Sequence, residues 1–227
     1  MEFQYVDIFF QVIVFLFAIS VHESAHAWMA DRCGDPTAKM LGRITLNPLK
    51  HIDPFGTVIL PAITIFSGFG ILGWAKPTPV TPENFSNKVK GDILTTVAGP
   101  VSNFLLVLIS LALLSVIYLA TPLKHMAVIN ILRGGEVDRD SLLLPVAWFL
   151  FRAVSINVLL GIFNLIPVPP LDGSHIIRHA LPEPILKIYD TVGMFGILLL
   201  FLFGGRLVGA LTLPPMIFLH NFLLRIS

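Results

Sequence analysis

The chain has 227 residues, 55% of them hydrophobic and 13% charged, with a formal net charge of +1. Soluble domains run at roughly 45–50% apolar and about 25% charged, so a soluble core of this size cannot absorb so much apolar surface. The composition predicts an all-α polytopic membrane protein embedded in a lipid bilayer. It gives no sign of a nucleic-acid partner, and the lone Cys33 excludes an internal disulfide or a cysteine-rich zinc module.

Residues 7–30 read as the first spanning segment. Glu2 and Asp7 stand where a signal peptide would carry basic residues, so this helix is expected to be retained. Near its far end lie His22, Glu23 and His26, an H-E-x-x-H arrangement. Four residues apart on a helix, the two imidazoles project from one face and can share one metal ion. Glu23 then sits beside the metal, where it can take a proton from a coordinated water. Ionisable groups at membrane depth are costly unless they are paired, metal-bound or wet, which makes a structural role for all three a poor explanation.

Residues 31–55 are polar, and 43–46 fit a short strand ended by Asn47-Pro48. Residues 55–74 are apolar but interrupted by Gly56, Pro61, Gly68, Gly70 and Gly73, which predicts a re-entrant hairpin instead of a span. Residues 92–120 and 142–166 read as two further spans, 121–141 as a charged loop, and 174–190 as loop or amphipathic helix. Residues 191–224 read as a C-terminal hairpin broken at Gly204-Gly205. The whole makes about five to six hydrophobic segments in a single transmembrane domain (1–227), whose core spans are 7–30, 92–120 and 142–172. There are no internal repeats.

A catalytic zinc usually has three protein ligands and one open position. Asp172 is the leading third ligand, because it follows a span whose end is unwound by Pro167, Pro169 and Pro170. Such irregular backbone is tolerated at membrane depth where it is buried in protein or lines a wet cavity. His175 and His179 form a second i, i+4 pair and are weaker candidates. His51, Asp53, His125 and His220 read as interfacial residues.

These motifs resemble those of the site-2 protease family of intramembrane zinc metalloproteases. The likeness lies in the H-E-S-A-H run at 22–26, an N-x-x-P-x-x-x-L-D-G run at 164–173 and a G-P-x-x-N run at 99–103. Residues 41–48 and 73–85 resemble the compact bacterial and archaeal branch, without a PDZ or CBS domain. The resemblance implies one Zn2+ held by His22, His26 and Asp172, with Glu23 as general base and Asn103 and Asn164 positioning substrate. It implies a transmembrane protein as substrate, cleaved by regulated intramembrane proteolysis.

For Asp172 to meet the histidines, residues 55–74 must not cross fully. The motif side then carries Arg32, Lys39, Arg43, Lys50, Lys76, Lys88, Lys90, Arg178 and Lys187, whereas the 121–141 loop carries Lys124, Arg133 and Arg139. The excess places the active site near the cytoplasmic side of a cell membrane, with the N-terminus outside. Small residues such as Gly161 and Gly193 leave an oligomer open. Two other readings are an inactive relative that binds partner helices and an ion or proton transporter. The first is expected to have lost a ligand or the base, and the second to show repeats; the sequence shows neither.

Overall fold

A computed structural model describes residues 2–67, 73–120, 143–193 and 217. The described residues are helical with no strand. In chain order the helices are α1 (Glu2–Arg32), α2 (Thr37–Met40), α3 (Leu60–Phe66), α4 (Lys88–Ala120), α5 (Leu143–Asn164), α6 (Gly173–Arg178) and α7 (Glu183–Gly193). Among the described residues three stretches are long and apolar enough to cross a membrane: Tyr5–Arg32, Lys88–Ile117 and Pro145–Asn164. They correspond to the three core spans read from the sequence, but α5 stops at Asn164 and irregular turns carry the chain to Asp172. The expected C-terminal hairpin lies outside the described residues, apart from 191–193, which end α7, and 217. The 121–141 loop lies outside them too.

The three long helices pack on one another. His22 and His26 of α1 face Asn103 and Thr95 of α4, respectively, so these helices run antiparallel. Asn103 in turn meets Asn157 of α5, while Leu114 packs with Ala147 and Leu150, so α5 runs antiparallel to α4. This places the end of α1, the start of α4 and the end of α5 together. Lipid tails are as apolar as leucine, so helix association there rests on close packing and polar ties. Val14, Phe15, Ala18 and Ile19 of α1 pack against Ile156 of α5. A polar tie joins the same two helices: Arg152 Nε and Nη2 each lie 2.6 Å from a carboxylate oxygen of Asp7. Trp148 and Gln11 donate to that carboxylate as well.

The described residues between α1 and α4 (33–67 and 73–87) cover the shared end. Asp35 is fully buried and accepts from the backbone N–H groups of Thr37 and Thr81 and from Asn84 Nδ2, drawing three parts of this region together. The expected strand at 43–46 is absent. Thr45 has no ladder partner because Ser24 Oγ of α1 engages both its N–H and its carbonyl. Arg43 turns its guanidinium inward to the carbonyls of Lys50, Lys76 and Pro77.

The 55–74 stretch holds a π-helical turn (Pro54–Ile59) followed by α3, together shorter than the roughly 20 residues a span needs. Its two ends are clasped: Trp74 N–H donates to Gly56 O at 3.0 Å, and Thr57 Oγ1 donates to Trp74 O at 2.8 Å. A Cβ on Gly73 would lie 2.3 Å from Gly56 O, and one on Gly56 would strike the Trp74 ring. These glycines therefore serve close approach.

Candidate active site

The HExxH segment sits within α1 with no break in the helix, so His22 and His26 stack one turn apart with their ring centroids 4.6 Å apart. Both side chains are buried, and so is Glu23. Asp172 arrives from α5 at the start of α6. Gly173 permits this approach, since a Cβ there would lie 2.3 Å from Leu165 O at the end of α5. From α4, Asp92 meets both His175, at 3.3 Å, and His179, at 2.7 Å, tying α6 to α4. The second histidine pair thus serves a carboxylate on a neighbouring helix.

His22 Nε2, His26 Nε2 and Asp172 Oδ2 form a tight triangle. Nε2 to Nε2 is 3.0 Å, and the carboxylate oxygen lies 3.2 and 3.4 Å from the two nitrogens. Tetrahedral zinc with ligand bonds of about 2.0–2.1 Å sets its ligand atoms about 3.3 Å apart. The triangle therefore has the size of one face of such a site.

Proton placement points the same way. His22 Nδ1 lies 2.7 Å from Asn103 Oδ1, and His26 Nδ1 lies 2.7 Å from Thr95 O. A carbonyl oxygen can only accept, so both Nδ1 atoms carry a proton, and in the neutral rings both Nε2 atoms present lone pairs. Two lone pairs and a carboxylate oxygen face one another, and Asp172 Oδ2 is buried without a hydrogen-bond donor. Such a set repels itself unless a cation lies between its members. Among the described residues this is the one group of His, Cys, Asp and Glu disposed to hold a metal ion.

The neighbouring helix is shaped around the two rings. A Cβ on Gly99 would lie 2.4 Å from His26 Nε2 and 2.6 Å from His22 Cε1. Pro100 follows inside α4 and, having no N–H, leaves one bond of the helix ladder unmade. Glu23 Oε2 accepts from Thr78 Oγ1 at 2.7 Å, and the same hydroxyl lies 3.0 Å from Glu23 O. The base candidate is thus held from the extended segment that precedes the 3-10 turn Pro82–Asn84.

The structure thus brings His22, His26, Asp172 and Asn103 together. Asn103 occupies a different place from the expected substrate contact. It is fully buried, and His22 and Asn157 engage its two polar ends. Asn164 donates to Leu160 O of its own helix at 3.0 Å, and none of its described hydrogen bonds reaches the three ligand candidates. His51, read as interfacial, is wholly buried within the protein, with Nε2 2.9 Å from Thr45 O. Asp53 caps the Pro54–Ile59 turn. His125 and His220 lie outside the described residues. Sequence reasoning overlooked Thr78, Thr95, Gly99 and Asn157. Gly99 was visible within the G-P-x-x-N run, but nothing in spacing alone marks the other three.

A model of peptidase family M50 matches residues 10–203. The chain belongs to this family. YwhC of Bacillus subtilis (strain 168), named a candidate zinc metalloprotease, is 34% identical over 206 residues, which cover 91% of this chain and 84% of YwhC. Rip2 of Mycobacterium tuberculosis (strain H37Rv), named in the same way, is 30% identical over 182 residues, covering 79% of this chain and 61% of Rip2. A shorter likeness reaches the regulator of sigma-E protease RseP of Salmonella typhimurium (strain 14028s), 32% identical over 92 residues and 20% of its length. No solved structure matches with comparable significance. The M50 relationship makes this chain a metalloprotease that uses zinc, and its three long apolar helices accord with a membrane protein.

Proposed function

We infer that this M50 peptidase hydrolyses a peptide bond in or near a transmembrane helix of a membrane-protein substrate. One zinc ion would be held by His22, His26 and Asp172, with Glu23 as general base. The observation that carries this reading is the triangle of two Nε2 lone pairs and a buried carboxylate oxygen, set on a spanning helix beside Glu23.

When bound, zinc supplies Lewis acidity toward water and the scissile carbonyl. The remaining chemistry belongs to the chain. Glu23 accepts a proton from the attacking water at its carboxylate and delivers it to the departing amide nitrogen. Thr78 keeps that carboxylate oriented while it does so. Burial of His22, Glu23 and His26 keeps bulk water from screening these charges. A helical substrate hides its carbonyls in its own hydrogen bonds and must unwind first. Asn164, whose Oδ1 is left over after Nδ2 bonds its own helix, and the extended 73–81 segment are the proposed contacts for the unwound strand.

The 55–74 stretch is taken as re-entrant, which its clasped ends support. The basic residues at the motif end support a site near the cytoplasmic face, with the N-terminus outside. Cys33, partly exposed at the end of α1, reports on this directly. A membrane-impermeant maleimide should label it from the cytoplasmic side, and labelling from outside would reverse the topology.

The deciding experiment measures metal content and cleavage of a transmembrane substrate in detergent. Glu23→Gln should retain about one zinc and lose cleavage, and Asp172→Ala should lose the metal. Cleavage by Glu23→Gln would sink the base assignment. A wild-type protein without metal and without cleavage would sink the whole reading.

A further inference from the structure

A single directed line of hydrogen bonds crosses all three long helices and ends on His22. Its far end is Ala153 O of α5, which accepts from Asn157 Nδ2 at 2.8 Å. Because a carbonyl cannot donate, the nitrogen of Asn157 must face Ala153, and its oxygen must face α4. Asn157 Oδ1 accordingly accepts from Asn103 Nδ2 at 2.8 Å. That donation uses the nitrogen end of Asn103 and leaves its oxygen toward α1, 2.7 Å from His22 Nδ1. Asn103 and Asn157 are 0% and 2% exposed, so no solvent competes for these groups.

We propose that Asn157, which lies in none of the three motif runs and does not touch the ligand triangle, is a positioning residue for the metal, holding His22 in its Nδ1–H tautomer through Asn103. The inference rests on the zinc reading above and deepens it. An asparagine amide is symmetric in shape, so Asn103 alone could offer His22 either its oxygen or its nitrogen. Turned the wrong way, its NH2 would face Nδ1, drive the ring proton to Nε2 and block the ligand position. A free imidazole leans toward that Nε2–H form. Asn157 fixes the direction by accepting only from the nitrogen end, and Ala153 O fixes Asn157 in turn. Partners that orient a ligating histidine typically alter metal affinity 10–100-fold when removed.

The test titrates the full-length apo-protein in detergent with zinc against a chromogenic chelator, so that the readout is affinity and not cleavage. Asn157→Leu should weaken zinc binding about tenfold, and Asn103→Leu by 10–100-fold. Adding Asn103→Asp to Asn157→Leu should restore affinity to within about threefold of wild type, within the expected loss. A carboxylate presents oxygen to His22 whichever way it turns, whereas a residue that only packs would gain nothing from that change. Undiminished affinity in Asn157→Leu, or no rescue by Asn103→Asp, overturns the proposal while leaving the metalloprotease reading in place. Should Asn157→Leu fail to fold, Asn103→Asp alone decides: retained affinity supports the tautomer role, and a loss equal to that of Asn103→Leu overturns it. A wild-type protein that binds no zinc overturns both readings.

Discussion

Gly99 of α4 stands so close to His26 of α1 that one added methyl carbon would lie 2.4 Å from Nε2. No carbon reaches that distance without displacing its neighbour, and here the neighbours are the two imidazoles proposed as ligands, themselves fixed at Nδ1. Gly99→Ala should therefore abolish stoichiometric zinc binding while α1 and α4 still fold. Metal analysis of the purified variant, alongside helical circular dichroism, checks this. Zinc retained at one equivalent would mean that the helices part at little cost.

The grouping of His22, His26 and Asp172 was legible in the sequence because a metal site, as proposed, would impose residue types at fixed intervals, and the span lengths because a bilayer imposes thickness. What stayed hidden depends on contacts between segments. Gly56 and Gly73 looked like helix breakers, yet they clasp the ends of their stretch, a distinction set by Trp74. The 43–46 run has strand composition, but whether it pairs as a strand depends on a partner, and Ser24 claims the backbone of Thr45 first. The substrate role expected of Asn103 came from the resemblance of the G-P-x-x-N run, which says nothing of what the side chain meets in the fold. Its actual partner, Asn157, lies 54 residues away and carries no motif.

Arg152 and Asp7 tie α5 to α1 away from the proposed metal ligands, with side chains 29% and 19% exposed. Removing the guanidinium leaves a carboxylate stranded among apolar helices. Arg152→Met should lower stability by up to about 3 kcal/mol, below the full value for a buried pair because both groups are partly accessible. The double variant Asp7→Asn with Arg152→Met should recover part of that loss, since no charge is then orphaned. Thermal unfolding in one detergent measures both. A double variant less stable than the single would contradict the argument.

Asp35 holds the region over the site with four donated hydrogen bonds, two of them from Thr37. Burial alone would raise its pKa, but Asn84, Thr37 and the N–H groups of Thr81 and Thr37 more than offset this and lower it. A lowered folded-state pKa means that the ionised form favours the fold. The stabilisation is fully present above the ordinary aspartate range and is lost as pH falls through the lower folded value. Asp35→Asn should thus be less stable than wild type at neutral pH by about 1–3 kcal/mol, and the gap should narrow in acid. Unfolding curves from neutral to strongly acidic pH test the sign. A gap that widens in acid would refute it.

Thr78 offers the sharpest separation of metal binding from chemistry. Its hydroxyl donates to Glu23 Oε2 at 2.7 Å and touches none of the three ligand candidates. Thr78→Val keeps the shape of the side chain and removes only the donor. The Glu23 carboxylate then loses a bond that fixes its orientation, and a hydrogen bond to a charged group contributes about 1.5–3 kcal/mol. If that orientation is needed in the transition state, kcat should fall roughly 10–100-fold, with zinc content and KM little changed. Thr78→Ser keeps the donor and should retain most of the activity. Equal loss in the serine and valine variants would show that Thr78 acts through packing of the 73–81 segment and does not orient Glu23. An unaltered kcat in Thr78→Val would show that the carboxylate finds its working position without help.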